Sequence, residues 1–249
     1  MNPIYDVHGN FVTLMNSGGG RPISSIFAEN QLIAHKGGNA GTANTIANFE
    51  AAISNGYKML EGDVRFTSDF VPVLSHDANV SGYTIANYTY DALVALVPTL
   101  ARLDDFLLLC KQNNVVAELD FSKEYSDAQT TICYNTMSEC GMLGRTMFTS
   151  YVTPIRKLLT LDSDVIVCVS SVTTTSAVDA ISDIVSAARL CGCSIEYGAS
   201  ATKALFDYMH GAGCFVKPWT VNSTSTIETL FGYGADYIIT DSVKPSDLT

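Results

Sequence analysis

From Gln31 onward, short apolar runs that end in polar residues recur along the chain. They cover residues 32–35, 59–65, 115–120, 147–151, 165–171, 193–197, 214–222 and 237–241. Between most of them the apolar positions take helical spacing, over 45–55, 103–112, 127–140, 154–161, 178–190, 202–210 and 224–233. Glycines often follow these helices (Gly56, Gly141, Gly192, Gly211, Gly234), where C-terminal caps belong. Strands that alternate with helices imply a parallel sheet with crossover connections. Eight such units favour an α/β fold of the closed (β/α)8 TIM-barrel type over an open doubly wound sheet. The glycines at 37–41 are not followed by an acidic ribose ligand at the right distance, so no dinucleotide fingerprint is present.

The pattern differs at two places. Residues 1–30 carry a turn at Asp6-Val7-His8-Gly9-Asn10 and a loop from Asn16 to Pro22, which together read as an N-terminal arm or hairpin. The arm could pack on the barrel or mediate oligomerisation, and His8 is expected to be a solvated turn residue. The barrel domain then spans 31–249. After the second strand come residues 72–77 and a polar loop over 78–90, too short for a separate domain.

Composition narrows the function. The 249 residues carry a net charge of -11, which argues against general nucleic-acid binding. An anionic substrate would have to be held by a metal ion or a few placed Lys or Arg. No apolar run approaches the roughly 20 residues of a membrane span. The start is polar and lacks a basic n-region. The expectation is a soluble protein, cytoplasmic or exported as part of a longer chain. None of the seven cysteines makes a C-x-x-C pair, and Cys191-Gly192-Cys193 is too tight for the usual zinc or redox patterns. They read as reduced cysteines packed as small hydrophobes.

The chemistry concentrates between Leu32 and Asp77. This stretch holds His35 and His76, with Glu61 and Asp63 between them on a strand. Alternate strand residues face one side, roughly 6–7 Å apart. Carboxylates bind hard cations and imidazoles transfer protons near neutral pH. In barrels of this type the site lies at the C-terminal strand ends, where Glu118, Asp120, Trp219 and Asp241 also fall. A lone histidine or acidic pair is more often structural. Joint placement of these groups at one mouth is different, because crowded buried carboxylates repel unless a cation neutralises them.

Spaced motifs run along this stretch: His35-Lys36-Gly37, Thr42-Ala43-Asn44-Thr45, Ala52 to Gly56, Glu61-Gly62-Asp63-Val64 and Pro72-Val73-Leu74-Ser75-His76-Asp77. Further on come Val97-Pro98-Thr99-Leu100, Glu118, Trp219-Thr220-Val221-Asn222 and Gly234 through Asp241. Together these motifs resemble the glycerophosphodiester phosphodiesterase family, and the match runs from about Leu32 to Pro245. It implies a TIM barrel with one divalent cation (Mg²⁺ or Ca²⁺) bound by Glu61, Asp63 and Glu118, and with His35 and His76 as the acid/base pair. The implied substrate is a small-molecule or polymeric glycerophosphodiester, with Lys36, Lys123 and Trp219 as candidate contacts. Three positions depart from the family pattern: Lys36 replaces Arg, Ala43 replaces Glu, and Asp120 replaces Lys. Arg65 and Lys217 are weaker candidates for holding phosphate, and His210 reads as a helix-end residue. The alternatives are a module that binds glycerophosphate polymers without cleaving them, and a phospholipase D-like barrel that forms a cyclic phosphate.

Overall fold

A computed structural model describes residues 31–121 and 126–248. The N-terminal arm, His8 and Lys123 lie outside the described residues. Eight strands make the barrel: β1 (Leu32–Ala34), β2 (Met59–Phe66), β6 (Val116–Phe121), β7 (Thr146–Ser150), β8 (Ile166–Val169), β9 (Leu190–Glu196), β10 (Cys214–Trp219) and β11 (Ile238–Thr240). They run in the order β10-β9-β8-β7-β6-β2-β1-β11, each pair parallel. At the remaining junction, backbone N–H groups of Asp236 and Tyr237 donate to Val216 O, and that of Val221 donates to Ile239 O. The barrel is thus nearly closed, as the alternating pattern predicts.

The helices are α1 (Ile46–Ser54), α2 (Tyr90–Leu96), α3 (Leu103–Gln112), α4 (Asp127–Glu139), α5 (Val152–Leu161), α6 (Thr175–Asp179), α7 (Ser182–Ala187), α8 (Lys203–Gly211) and α9 (Thr224–Tyr233). Hydroxyl side chains start several of them. Thr45, Thr174 and Thr202 each accept a backbone N–H from the first turn, and Ser126 with Gln129 forms a full capping box. The β2–β6 connection is more structured than the polar composition of 78–90 suggests. β3 (Pro72–Leu74) pairs antiparallel with β2, a hairpin joins β4 (Asn79–Val80) to β5 (Tyr83–Thr84), and α2 follows.

Two expectations are corrected. The helix read over 178–190 is two short helices separated at Ala180 and Ile181, and Leu190 already belongs to β9, in register with Ile166. Gly192 is not a helix cap. It lies in β9, where an added Cβ would sit 2.1 Å from the Phe215 ring, so glycine is needed for β10 to place that ring inside the barrel. All seven cysteines are free and buried. Among the described residues, no helix is long and apolar enough to cross a membrane.

The strands bury both faces. Outward residues such as Leu60, Leu119 and Phe148 pack with Phe49 and Phe106 of the helical layer. Inward residues Ile33, Met59, Val116, Met147, Ile166, Leu190, Phe215 and Tyr237 form an apolar floor. Two positions further along the same inward rows, the period of 2 delivers His35, Glu61, Glu118, Thr149 and Lys217 above that floor.

Candidate active site

Three successive left-handed residues, Lys36, Gly37 and Gly38 (φ 54, 85 and 78°), fold the chain back over the mouth after β1. An added Cβ at Gly37 would lie 2.8 Å from Asn48 Nδ2, so the loop has no room for a side chain. Asn48 Nδ2 donates to Lys36 O (3.0 Å) and Gly38 O (2.9 Å) and pins the loop to α1. The loop in turn aims the Lys36 backbone N–H at Glu61 Oε2, 2.8 Å away.

His35 sits just past β1, with Nδ1 2.7 Å from Asp241 Oδ1. Asp241 Oδ2 accepts from Asn222 Nδ2 at 2.7 Å. An ionised carboxylate only accepts, so Nδ1 carries the proton and Nε2 keeps its lone pair. Burial pushes the His35 pKa below its ordinary value, partly opposed by the Asp241 hydrogen bond. His76 follows β3, and its Nδ1 lies 2.8 Å from Asp77 Oδ1. Arg65 does not line the cavity. Its guanidinium donates to the His76 carbonyl through Nε (3.1 Å) and Nη2, clamping the segment that carries the histidine.

The acids come from paired strands in register, Glu61 beside Glu118 and Asp63 beside Asp120. Glu61, Asp63 and Glu118 are buried, with relative exposures of 2%, 5% and 0%. Asn44 clasps Asp63 from both sides: Nδ2 donates to Oδ2 at 2.8 Å, and Oδ1 accepts the Asp63 backbone N–H at 3.1 Å. One carboxylate oxygen each from Glu61, Asp63 and Asp120 lies within 4.8 Å of the other two. Glu61 Oε1 is buried with no hydrogen-bond partner. Burial first, then the charges of Asp63 and Asp120, hold the Glu61 carboxyl well above its usual range. A hard divalent cation would satisfy that oxygen and remove the repulsion, so the donor set fits Mg²⁺ or Ca²⁺.

Glu118 has different company. Its Oε1 accepts Thr149 Oγ1 at 2.7 Å and forms an ion pair with Lys217 Nζ, which also donates to Thr149 Oγ1 at 2.9 Å. Lys217 is completely buried, and burial pulls its ammonium down to about 7 against the opposing charge of Glu61.

These groups share one cavity of about 300 Å³. Its acidic side is lined by His35, Lys36, Glu61, Asp63, His76, Glu118 and Asp120. The far wall is hydroxyl-rich and aromatic: Thr149, Tyr151, Ser170, Ser194 and Trp219, with Lys217 among them. Of the candidates, His35, His76, Glu61, Asp63, Glu118, Lys36 and Trp219 therefore converge. His210 does not. It pairs with Asp236 at 2.9 Å, and Asp236 also accepts the Val216 backbone N–H, a structural link away from the cavity. Residue-type reasoning missed the clasp of Asn44 and Asn48, the Asp77 partner of His76, and the hydroxyls of the far wall. For Asn44 a signal was available, because asparagine tolerates the left-handed backbone that it adopts (φ 59°).

The chain resembles a crystal structure of a glycerophosphodiester phosphodiesterase from Parabacteroides distasonis (TM-score 0.71, 21% identity, covering 85% of this chain and 92% of that one). It also resembles an Oleispira antarctica phosphodiesterase in complex with the product sn-glycerol-3-phosphate (TM-score 0.71, 18% identity, 85% and 93%). At these identities both likenesses show the fold. Lysophospholipase D GDPD1 of Rattus norvegicus is 36% identical over 100 residues, which span 39% of this chain and 32% of that protein. The model of the glycerophosphoryl diester phosphodiesterase family matches residues 35–244, most of the chain. The chain belongs to the glycerophosphoryl diester phosphodiesterase family.

Proposed function

We propose that this chain is a metal-dependent phosphodiesterase that hydrolyses glycerophosphodiesters to glycerol phosphate and an alcohol. One observation carries the reading: two carboxylate-oriented histidines and a buried cluster of carboxylates line the same cavity. Glu61 and Asp63, with a third carboxylate from β6, would hold one divalent cation, Mg²⁺ or Ca²⁺. When bound, it would neutralise phosphate charge that grows in the transition state.

The proton work falls to the protein. His35, neutral and held by Asp241, presents Nε2 as the base that takes the proton from the attacking oxygen, either water or the glycerol hydroxyl next to the phosphate, in which case water must then open the resulting cyclic phosphate to glycerol phosphate. His76, fixed by Asp77 and by the Arg65 clamp on its carbonyl, donates a proton to the leaving alkoxide as the phosphorus–oxygen bond breaks. Lys36 adds positive charge at the mouth. Trp219 and Tyr151 offer aromatic surface to the glycerol or the headgroup, and the hydroxyls of Ser170 and Ser194 suit a polyol.

The test is turnover of glycerophosphocholine with and without EDTA. Choline release that EDTA stops and Mg²⁺ or Ca²⁺ restores supports the reading. Binding of the diester without turnover in saturating cation would contradict it, and would favour a module that only holds glycerophosphate groups.

A further inference from the structure

Two adjacent strands place four acids in one cavity: Glu61 and Glu118 on one level, Asp63 and Asp120 on the next. One divalent ion offsets two of those charges. The remaining charge needs another cation, because like charges held in a poorly solvated wall repel strongly. Lys217 supplies one from β10, across the barrel. Its ammonium touches Glu118 Oε1, and Thr149 Oγ1 bonds to both partners. The resulting triangle is shut off from solvent.

We propose that Lys217 is a built-in positioning cation, which ties Glu118 into the barrel interior and leaves the divalent ion to Glu61, Asp63 and Asp120. This rests on the reading above that the cavity takes such an ion. Three observations carry it. Glu61, Asp63 and Asp120 each offer an oxygen within 4.8 Å of the others, a spread that an ion with ligand distances of about 2.0–2.6 Å can bridge. Glu118 stands outside that group. Glu61 Oε1 is buried and has no hydrogen-bond partner, so it is a donor such an ion would satisfy. In addition, an ammonium in contact with Glu118 repels any divalent ion that shares the same carboxylate. Glu118 Oε2, also buried and without a hydrogen-bond partner, is the competing ligand that the experiment must exclude. The acid at position 120 then adds a ligand, and the lysine at 217 supplies positive charge that offsets it.

The experiment is Mn²⁺ and Mg²⁺ titration by calorimetry of the full chain, wild type and variants, with no substrate present. Asp120→Asn should weaken cation binding by at least about tenfold, the scale on which even outer partners of a metal ligand act. Glu118→Gln and the double variant Glu118→Gln/Lys217→Met should stay within about threefold of wild type, well inside that scale. Either one suffices if it folds, since both remove the Glu118 charge. Lys217→Met alone is avoided, because it strands a buried carboxylate. Loss of binding in a folded Glu118→Gln variant, or unchanged binding in Asp120→Asn, would overturn the proposal and leave the metal-dependent reading standing. Absence of binding by the wild type would instead overturn that reading, and the proposal with it.

Discussion

The two sides of the barrel mouth are built differently. The side formed by β1, β2, β3 and β6 carries His35, Glu61, Asp63, His76, Glu118 and Asp120, nearly all of the cavity's ionisable groups. The side formed by β7 to β10 carries hydroxyls, Tyr151 and Trp219, with one charged group, Lys217, turned across toward Glu118. Apart from His76, which follows the off-barrel strand β3, both sides come from the same inward rows above the same apolar floor. The fold therefore supplies identical positions all round, and the residue types divide the labour. In the proposed reaction, proton transfer and cation binding need groups whose charge changes or persists, whereas holding a polyol needs neutral hydrogen-bonding and aromatic surface.

The sharpest way to break this comparison is to remove the histidines. His35→Ala and His76→Ala should each lower kcat by roughly 10²–10⁴-fold, as measured in steady-state assays on glycerophosphocholine. A variant that kept its rate would take that histidine out of the chemistry.

The second prediction concerns the link between the sides. Lys217→Met leaves Glu118 buried beside Thr149 alone. Breaking a buried pair by removing one partner costs about 3–5 kcal/mol, so urea unfolding should show a large drop in stability. A stability close to wild type would mean that the pair is not charged in the folded protein.

A third, smaller effect belongs to the far wall. Trp219→Ala should raise KM for a choline-bearing substrate by roughly fivefold, about 1 kcal/mol of cation–π and stacking contact, with little change in kcat. An equal fall in kcat would move Trp219 from holding the substrate to the reacting centre.

The smallest predicted effect is a displacement along the pH axis. Burial lowers the His35 pKa, and the base must be neutral to act. The rate should therefore rise with pH through a midpoint below 6.5 and fall again where His76, the acid, loses its proton. The Asp241 hydrogen bond and charge both raise that pKa, so Asp241→Asn should shift the midpoint to still lower pH while slowing the reaction through poorer ring orientation. A midpoint above the ordinary histidine value in the wild type would remove His35 as the base.

The same division governs what the sequence revealed. Eight strands and their crossovers were legible because apolar runs and helical spacing alternate so regularly. The charged side was legible as well, since paired acids and histidines at strand ends are uncommon and their spacing matches a family pattern. The hydroxyl side was not. Thr149, Ser170 and Ser194 are ordinary strand and loop residues, and only the closed barrel brings them opposite the acids. Lys217 was visible as a residue able to reach the mouth, but its partnership with Glu118 joins positions 99 residues apart. The helix α2 escaped notice because two turns following a polar loop depend on tertiary packing, here the fully buried Leu93, more than on local preference. The division of 178–190 into two helices and the start of β9 has a similar cause. Strand pairing of Leu190 with Ile166 overrides the helical spacing.

The most direct test of the account is a crystal structure of the protein with Mn²⁺ and sn-glycerol phosphate. The account predicts an anomalous peak bridging Glu61 and Asp63, with the phosphate against it and between His35 and His76. A metal peak elsewhere, or a phosphate bound outside the two histidines, would contradict it.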